Sequence, residues 1–426
     1  MTFNSFLERK LQTTGKITPI PRLIAVWGPG LLVMLADTDA GNVVTAAQSG
    51  AQWGYRLLPL ILILTPLLYM LQELTVRLGM YTGRGHGELI RERFGSGWAW
   101  ISTTGLAAAT VGTLVTNLTG VAGIGELYGL SRNLTLPSAA AVLLIVVATG
   151  SYRRVERTAI IIGLFELAFF VVAIAAQPHL QTMAKQVFHP PISNREFLYL
   201  AAANIGATFN PWMVFYQQSA IVDKKLQPTE YELARWDTAV GAALTQLLTG
   251  AVLVSVAATL ASSGVRAKLN NVGEISNALA QILGVDAGRL IFSVGVLGAS
   301  LVAAIVSSLA LAWGVGEVTG YRRSLEYHPF KAGWFYGVYA ICVVGAAALV
   351  WLTPDLVWLN IAAQVLNVFL LPLVVGFLVA LAARALPEPM RLRGWYLRVI
   401  IVVSGAVCAL GLFGGFQACS KSSEDV

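Results

Sequence analysis

The stretch Ala36-Asp37-Thr38-Asp39-Ala40-Gly41-Asn42 decides how this chain folds. It lies inside an apolar run, residues 23–48, that is long enough to cross a membrane as a helix. A charged side chain near the bilayer centre costs about 2.5–3.5 kcal/mol on insertion scales, and glycine and short polar residues weaken a helix. We therefore predict a helix that is interrupted here, with irregular backbone lining a wet cavity. The alternative interpretation is a buried, hydrogen-bonded polar kink.

The composition of the whole chain is typical of a helical membrane protein. Of its 426 residues, 56% are hydrophobic and 12% are charged, against about 25% charged in an ordinary soluble domain. The net charge of +7 does not indicate nucleic-acid binding, because the basic residues lie in short loops between apolar runs. The sequence carries no nucleophile–base pair, metal-hydrolase motif or nucleotide-binding signature. We expect neither an enzyme nor a bound cofactor.

Apolar stretches of spanning length predict an all-α polytopic membrane protein with about eleven transmembrane helices. They lie at residues 23–48, 57–78, 97–124, 135–150, 158–177, 198–222, 237–262, 284–316, 333–352, 356–383 and 396–416. With residues 1–22 in the cytoplasm, 21 of the 29 lysines and arginines fall on the cytoplasmic side, as the positive-inside rule requires. The sequence thus predicts a multi-pass protein of the plasma (inner) membrane. Two outer loops, Pro178–Phe197 and Ser263–Leu283, are longer and polar, and the second has the pattern of a short amphipathic helix.

The sixth predicted helix is interrupted as well, at Gly206-Ala207-Thr208-Phe209-Asn210-Pro211-Trp212-Met213. A proline in a helix interior removes a hydrogen bond and clashes with the preceding turn. Broken helices at positions one and six are typical of folds built from two inverted five-helix repeats, which bind substrate between the breaks at the membrane midplane. This predicts a single transporter domain over residues 1–426, with repeats at 23–177 and 198–383 and an additional helix at 396–416. The repeat is inferred from position, since the two halves have no convincing residue similarity.

Side chains at the two breaks provide the ligands of a hard metal ion. Asp39 and Asn42 are three residues apart, as are Ala207 and Asn210. If both segments unwind, a carboxylate, two amide oxygens and freed carbonyls converge, and such oxygen donors suit Mg²⁺, Ca²⁺ or Mn²⁺. In the tenth helix Gln364 lies three residues before an asparagine, a pair that holds helices together or closes over the ion. A single carboxylate leaves the ion net positive, so we expect it to keep much of its water.

Other acidic residues receive less specific interpretations. Asp37 would point to a different helix face from the ligand side chains and attract cations at the mouth of the site. Glu166 lies deep in the fifth helix, either as a cavity residue or protonated. Glu73 is spaced to pair with Arg77, and Glu317 is expected at the membrane interface. All four histidines are expected in loops, so none is placed for a transmembrane proton relay: His86, His179, His189 and His328.

These residues resemble the NRAMP family of divalent-metal transporters. The first helix matches a Gly-Pro start at Gly28-Pro29, the Asp-Pro-Gly-Asn metal motif as Asp39-Ala40-Gly41-Asn42, and the following segment Gln48–Tyr55. Further similarity runs through Arg77–Gly83 and from Gln364 to Pro372. The resemblance covers most of the chain and implies a LeuT-like fold.

The departures from the family pattern are equally informative. The sixth-helix pattern Ala-x-x-Met-Pro-His becomes Ala207-Thr208-Phe209-Asn210-Pro211-Trp212, so an asparagine replaces the methionine that favours soft metals and a tryptophan replaces the proton-linked histidine. Where the family carries acids of a proton path in the third helix, this chain has Leu114 and Asn117. The pattern resembles the NRAMP-related magnesium transporters (the NRMT branch), which implies transport of Mg²⁺ and Mn²⁺ without proton coupling.

The leading hypothesis is therefore uptake of hydrated Mg²⁺, and also Mn²⁺, by alternating access. One alternative is a proton-coupled Mn²⁺/Fe²⁺ carrier with a proton path through Asp37 or Glu166. Another, from a different substrate class, is a Na⁺-coupled organic solute symporter on the same fold, in which Asp39 would be an obstacle. The expected partners are the divalent ion and the lipid bilayer, with no nucleic acid and no obligate protein partner.

Overall fold

A computed structural model of the chain describes residues 26–261, 269, 274–276, 284–352 and 356–422. The regular structure of these residues is helical. The helices are α1 (Pro29–Asp37), α2 (Ala40–Trp53), α3 (Leu58–Thr82), α4 (His86–Phe94), α5 (Ser96–Leu127), α6 (Arg132–Ala148), α7 (Tyr152–Gly163), α8 (Ala168–Ala175), α9 (Leu180–Val187), α10 (Arg195–Thr208), α11 (Pro211–Asp223), α12 (Tyr231–Ala261), α13 (Val285–Thr319), α14 (Gly333–Leu352), α15 (Leu356–Arg384) and α16 (Gly394–Ser422).

Within the described residues, eight helical segments are long and apolar enough to cross a membrane: Ala40–Thr82, Ser96–Leu127, Tyr152–Ala175, Pro228–Leu260, Asp286–Thr319, Gly333–Leu352, Ile361–Arg384 and Gly394–Phe416. The first of these joins α2 and α3 through a 3₁₀ turn at Gly54–Leu57. The 17 residues of α6 and the separate halves α1, α10 and α11 fall short of that length individually. The helices thus fill the predicted spans, while the number of crossings stays a prediction.

The first span is broken, as predicted, between Asp37 and Ala40. Thr38 and Asp39 leave the helical conformation, and Asp39 adopts an extended backbone with φ −65° and ψ 172°. The Asp39 carboxylate then accepts a hydrogen bond from the backbone N–H of Asn42 and so caps the start of α2. A short polar residue that caps a helix offers the backbone an alternative to continuing the preceding helix. The polar residues of this span therefore end α1 and start α2.

The sixth span is broken between Thr208 and Pro211. Pro211 is the first residue of α11, a position where its missing N–H is not needed. The ring of a proline biases the preceding residue towards an extended backbone, and Asn210 has φ −76° and ψ 130°. The two halves α10 and α11 therefore follow directly from the Asn-Pro dipeptide.

The two broken spans lie in the interior of the helix bundle. α12 packs along both α1 and α2, while α15 packs against α10 and α2. The side chains at the breaks are buried, whereas large apolar side chains on other helices are exposed, as expected of a surface that faces lipid: examples are Ile63, Ile145, Ile174 and Ile341. The helix packing therefore places the polar breaks at the centre of the fold.

Two sequence expectations about shorter segments need correction. His86 is not in a loop: it begins α4 and is fully buried against Gln218. Glu317 is not interfacial, because it is 1% exposed and accepts hydrogen bonds from Gly87 and Ser219. The outer loop 178–197 contains α9. Most of the loop 263–283, with its predicted amphipathic helix, and the N-terminal residues 1–22 lie outside the described residues.

Candidate functional site

The five residues predicted as metal ligands lie at or beside the two helix breaks, and all are buried. Asp39 is 0% exposed, Asn42, Ala207 and Gln364 are each 1% exposed, and Asn210 is 2% exposed. They come from α2, α10, α15 and the residues between the half-helices. The sequence pattern thus selected residues that the fold gathers in one place, which we call the break cluster.

The first break is held by hydrogen bonds among its own polar residues. Asp39 Oδ1 accepts from the Asn42 N–H at 2.7 Å, and Asn42 Nδ2 donates to the carbonyl of Asp37 at 2.9 Å. From α5, Asn117 Oδ1 accepts from the backbone N–H of Ala40 at 3.1 Å. The Asp39 carboxylate still has one oxygen, Oδ2, that is buried and lacks a hydrogen-bond partner among the described residues.

Asn210 connects the second break to the first. Its Nδ2 donates to the Ala207 carbonyl at 2.9 Å and to Asp37 Oδ1 at 3.2 Å. Asp37 therefore lies inside the break cluster rather than at its mouth, and the expectation that helical geometry would turn it away is wrong. The helix ends at Asp37, so the 100° rotation per residue that separates it from Asp39 in a continuous helix does not apply.

α15 closes the cluster with two amides. Asn367 Nδ2 donates to Asn210 Oδ1 at 2.6 Å and to Gln364 Oε1 at 3.1 Å. Gln364 itself lies against glycines on both broken spans, because a Cβ at Gly41 would clash with its side-chain nitrogen and a Cβ at Gly206 would clash with its carbonyl oxygen. These two glycines are what allows α15 to approach the breaks so closely.

The atoms of the break cluster suit a hard cation. Asp37 Oδ2 and Asp39 Oδ2 are both buried without a hydrogen-bond partner among the described residues, and the remaining acceptors are amide and carbonyl oxygens. In the described part of the chain no three His, Cys, Asp or Glu side chains come close enough together to hold a metal. An ion at this position would therefore be bound by few carboxylates and by neutral oxygens, with water completing its shell.

Trp212 occupies the position after the proline and points its ring nitrogen at α5. Trp212 Nε1 donates to Thr113 Oγ1 at 3.1 Å, and the indole is 0% exposed. An indole is a hydrogen-bond donor only and, unlike an imidazole, does not gain or lose a proton in the physiological pH range. This side of the break therefore has a fixed hydrogen bond at the position that the family resemblance assigns to a proton-carrying imidazole.

Polar contacts also hold the ends of α1 and α2 that lie away from the break. On the predicted cytoplasmic side the carboxylate of Asp237 accepts from the N–H groups of Gly28, Gly30 and Leu31, and Lys224 Nζ donates to the carbonyl of Trp27 at 3.0 Å. On the other side the Gln186 side chain, from α9, accepts from the N–H of Tyr55, and the Gln48 side chain bonds the backbone of Leu269. These contacts fix the outer ends of the half-helices that meet at the break cluster.

Sequence reasoning missed two residues that shape the site. Asn117 was noted only as the replacement of a family acid, yet it binds the first residue of α2. Asp237 was not singled out, although it holds the N-terminal end of α1. Asn117 is a lone polar residue in an apolar helix, which is a weak signal by itself. Asp237 lies at the boundary of a predicted span, where an acid is unremarkable.

Comparison with known proteins shows which family the sequence matches. The model of natural resistance-associated macrophage protein-like (Nramp) proteins matches residues 30–416. The divalent metal cation transporter MntH of Ralstonia nicotianae is 28% identical over 306 residues, which cover 68% of each chain. The MntH protein of Xanthomonas campestris is 26% identical over 414 residues, covering 92% of this chain and 90% of the relative.

Solved structures share the architecture across nearly the whole chain. The manganese transporter of Eremococcus coleocola, in complex with an aromatic bis-isothiourea compound, superposes with a TM-score of 0.76 at 19% identity and covers 94% of this chain and 88% of its own. A Na⁺-coupled sialic acid symporter gives a TM-score of 0.61 at 14% identity, covering 92% and 89%. The predicted all-helical, LeuT-like fold is confirmed.

Proposed function

This chain belongs to the Nramp family, and from that premise we propose that it is a multi-pass membrane transporter that takes up hydrated Mg²⁺, and also Mn²⁺, by alternating access without proton coupling. The MntH relatives carry the name of divalent metal cation transporters, not of enzymes. The finer assignment to the magnesium-transporting NRMT branch rests on the break cluster itself.

The observation that carries the proposal is Asn210. It stands where the family pattern has methionine, and its amide contacts both Asp37 and Asn367. A thioether favours soft ions and has little to offer Mg²⁺, whereas carboxylate, amide and carbonyl oxygens suit it. The unpaired oxygens Asp37 Oδ2 and Asp39 Oδ2 are acceptors for the water molecules that Mg²⁺ retains.

The driving force for entry does not require a proton. An inside-negative membrane potential supplies roughly 2.3 kcal/mol per charge per 100 mV, and this doubles for an ion of charge 2+. The residues that would carry protons in the family are replaced here by Leu114, Asn117 and Trp212. Asn117 and Trp212 are both fixed in hydrogen bonds. Entry of the ion is therefore assigned to the electrical gradient alone.

The first test measures ion selectivity in Asn210→Met. We expect the variant to gain affinity for Cd²⁺ and Mn²⁺ relative to Mg²⁺ by about tenfold or more, because a soft sulfur replaces a hard oxygen. Competition among Mg²⁺, Mn²⁺, Ca²⁺ and Cd²⁺ for uptake into proteoliposomes gives the ratio. Asn204→Met is the matched control: its amide lies in α10 of the same span but bonds Ser49 and Leu200 instead of the break cluster. An unchanged ratio in Asn210→Met would remove Asn210 from the ion's ligands.

The second test measures proton movement. Mg²⁺ entry into proteoliposomes should proceed without acidification of the lumen, and Asp39→Ala should abolish it. Proton entry in a fixed ratio to the metal would overturn the uncoupled mechanism.

A proton-coupled manganese carrier is the second candidate, and one structural observation favours it. Met213 lines the same cavity as Asn210, between α3, α11 and α15, so a thioether lies one helical turn from the break. If that sulfur reaches the ion during transport, Mn²⁺ and Cd²⁺ gain a soft ligand. Met213→Leu keeps the volume and removes the sulfur. Reduced Cd²⁺ competition in this variant, with Mg²⁺ uptake unchanged, would support the manganese assignment.

A further inference from the structure

Two membrane-spanning segments begin side by side at an exposed surface that the proposed transport mechanism does not use. The segment Tyr152–Ala175 begins with α7, and the segment Gly333–Leu352 is α14. Residues 320–332, which lead into α14, contact the start of α7, because Glu326 Oε1 accepts a hydrogen bond from the N–H of Tyr152 at 3.2 Å. This surface lies on the predicted cytoplasmic side.

Basic and apolar side chains are exposed together on this surface. Two large aromatic side chains, Phe330 and Trp334, are 93% and 65% exposed. Four exposed basic side chains come from the first turn of α7 and from residues 320–332. We call these six residues the basic–aromatic patch: Arg153, Arg154, Arg322, Phe330, Lys331 and Trp334.

The positive charge of the patch is not balanced by the protein. Among the described residues its four basic side chains form no ion pairs, and the ion pairs nearby use Lys224 and Arg323 instead. Arg322 lies over the ring of Tyr327, 5.9 Å from its centroid. The acid that borders the patch is Glu326, which accepts a backbone N–H. Four cations beside one carboxylate leave the patch positive.

This combination of side chains fits the headgroup region of an anionic membrane. Aromatic rings are enriched where a membrane meets water, and each Lys or Arg near an anionic membrane surface adds about fivefold to the affinity. A soluble phosphate compound would use the basic side chains but leave the rings of Phe330 and Trp334 in water. An aromatic belt alone would account for Trp334 but not for the unpaired cations around it.

Residues 320–332 are also joined to the sixth span. The N–H of Leu325 donates to Asp223 Oδ2 at 3.2 Å, and Asp223 is the last residue of α11. The first residue of the same helix is Pro211, directly after Asn210 of the break cluster. A lipid that holds residues 320–332 in place therefore also holds the helix that begins at the break.

We propose that the basic–aromatic patch binds the headgroup of an anionic phospholipid from the leaflet on the predicted cytoplasmic side. The bound lipid holds residues 320–332 against α11 and so keeps Asn210 in position, which raises the affinity of the break cluster for the divalent ion. The lipid site stands on the geometry of the patch, whereas its effect on the ion rests on the proposed function.

Lipid binding is measured first, without any metal. Purified protein in a neutral detergent is titrated with phosphatidylglycerol or phosphatidylcholine, and native mass spectrometry counts the lipids bound per chain. The wild type should prefer phosphatidylglycerol, and the double variant Arg322→Gln with Lys331→Gln should bind it about tenfold or more weakly. The matched control is Lys185→Gln with Arg195→Gln, which removes the same charges from exposed positions on the predicted outer side and should bind as the wild type does.

Three results would overturn the lipid site. One is equal binding of the two lipids by the wild type, and another is unchanged binding of phosphatidylglycerol by the double variant. The third is displacement of phosphatidylglycerol by inorganic phosphate, which would show that the ligand is a soluble anion.

Uptake of Mg²⁺ then tests the link to the break cluster. Phosphatidylglycerol raises the Mg²⁺ concentration near any liposome, so the informative quantity is the difference between variants in the same liposomes. With phosphatidylglycerol present, the half-saturating Mg²⁺ concentration of the double variant should be about fivefold or more above that of the wild type and of the matched control. Equal values would overturn the link to α11. A wild type that binds phosphatidylglycerol but takes up no Mg²⁺ would overturn the proposed function and leave the lipid site standing.

Discussion

Replacing Asp237 by asparagine should release the N-terminal end of α1 and open the predicted cytoplasmic side of the protein. The carboxylate of Asp237, on α12, accepts three backbone hydrogen bonds from the start of α1: Gly28 at 3.2 Å, Gly30 at 2.7 Å and Leu31 at 3.1 Å. We call this contact the α1 clamp. In the proposed mechanism, a cation leaves the break cluster towards the predicted cytoplasmic side when the helix end that the clamp holds moves away.

The size of the effect follows from the hydrogen bonds. Asp237 Oδ2 accepts hydrogen bonds from the N–H groups of Gly28 and Gly30, and Oδ1 accepts one from the N–H of Leu31. Asparagine keeps one acceptor oxygen and turns an NH₂ group towards the remaining N–H donors. A hydrogen bond to a charged group contributes about 1.5–3 kcal/mol and a neutral one about 0.5–1.5, so the clamp should lose at least about 2 kcal/mol. This corresponds to a shift of roughly thirtyfold between the closed and open states.

Thiol labelling measures this shift directly. Val76 is 0% exposed and packs in a small cluster with Val26, the residue that precedes α1 by one turn. In a background with the three native cysteines replaced by alanine, a cysteine at Val76 should react with a water-soluble reagent at least tenfold faster in Asp237→Asn than in the unmodified clamp. Asp286→Asn, an exposed acid in the first turn of α13, is the control. Equal labelling with and without the Asp237 substitution would refute the α1 clamp as the element that holds this side closed.

Two further substitutions test the site and the fold around it. Gly41→Ala should reduce divalent-ion uptake by about tenfold or more, because its Cβ would clash with Gln364 Nε2. Gly112→Ala is the control and should be neutral, because its Cβ meets only a side-chain carbon at 3.5 Å. Equal uptake in the two variants would contradict the close approach of α15. His86 has its pKa lowered by burial to about 4, so the fold favours the neutral ring. The neutral ring contributes about 3 kcal/mol to the free energy of unfolding above pH 6.5, and this contribution should be lost as the pH falls towards 4. In His86→Phe the melting temperature should therefore depend less on pH over this range. Identical profiles would show that the His86 ring does not contribute.

The local sequence predicts the breaks but not their partners. Asp37–Asn42 and Asn210-Pro211 stand out because they lie within apolar spans. Charged residues and proline are costly inside a membrane helix, so a single sequence is enough to predict a helix break at each. Asn117 and Asp237 are bound to residues 77 and 207 positions away, and no periodicity or propensity in either helix encodes a pairing over that distance. The position of Asp37 was predicted wrongly for a related reason: a regular helix was assumed through the residue at which the helix ends.

The nine residues of α1 connect the break cluster to the clamp, so movement at one end of this helix is expected to affect the other end. One end of α1 is held at Asp37 by Asn210, and the other by Asp237. A cation that takes Asp37 Oδ1 as a ligand must displace the Asn210 amide. At that end α1 then keeps the hydrogen bond from Asn42 to the Asp37 carbonyl, and at the other end it keeps the clamp. By thermodynamic linkage, the factor by which the bound ion favours clamp release equals the factor by which clamp release strengthens ion binding. Asp237→Asn should therefore raise the equilibrium affinity for the divalent ion while it opens the cytoplasmic side, and an affinity that falls or stays constant would mean that the break cluster and the clamp move independently.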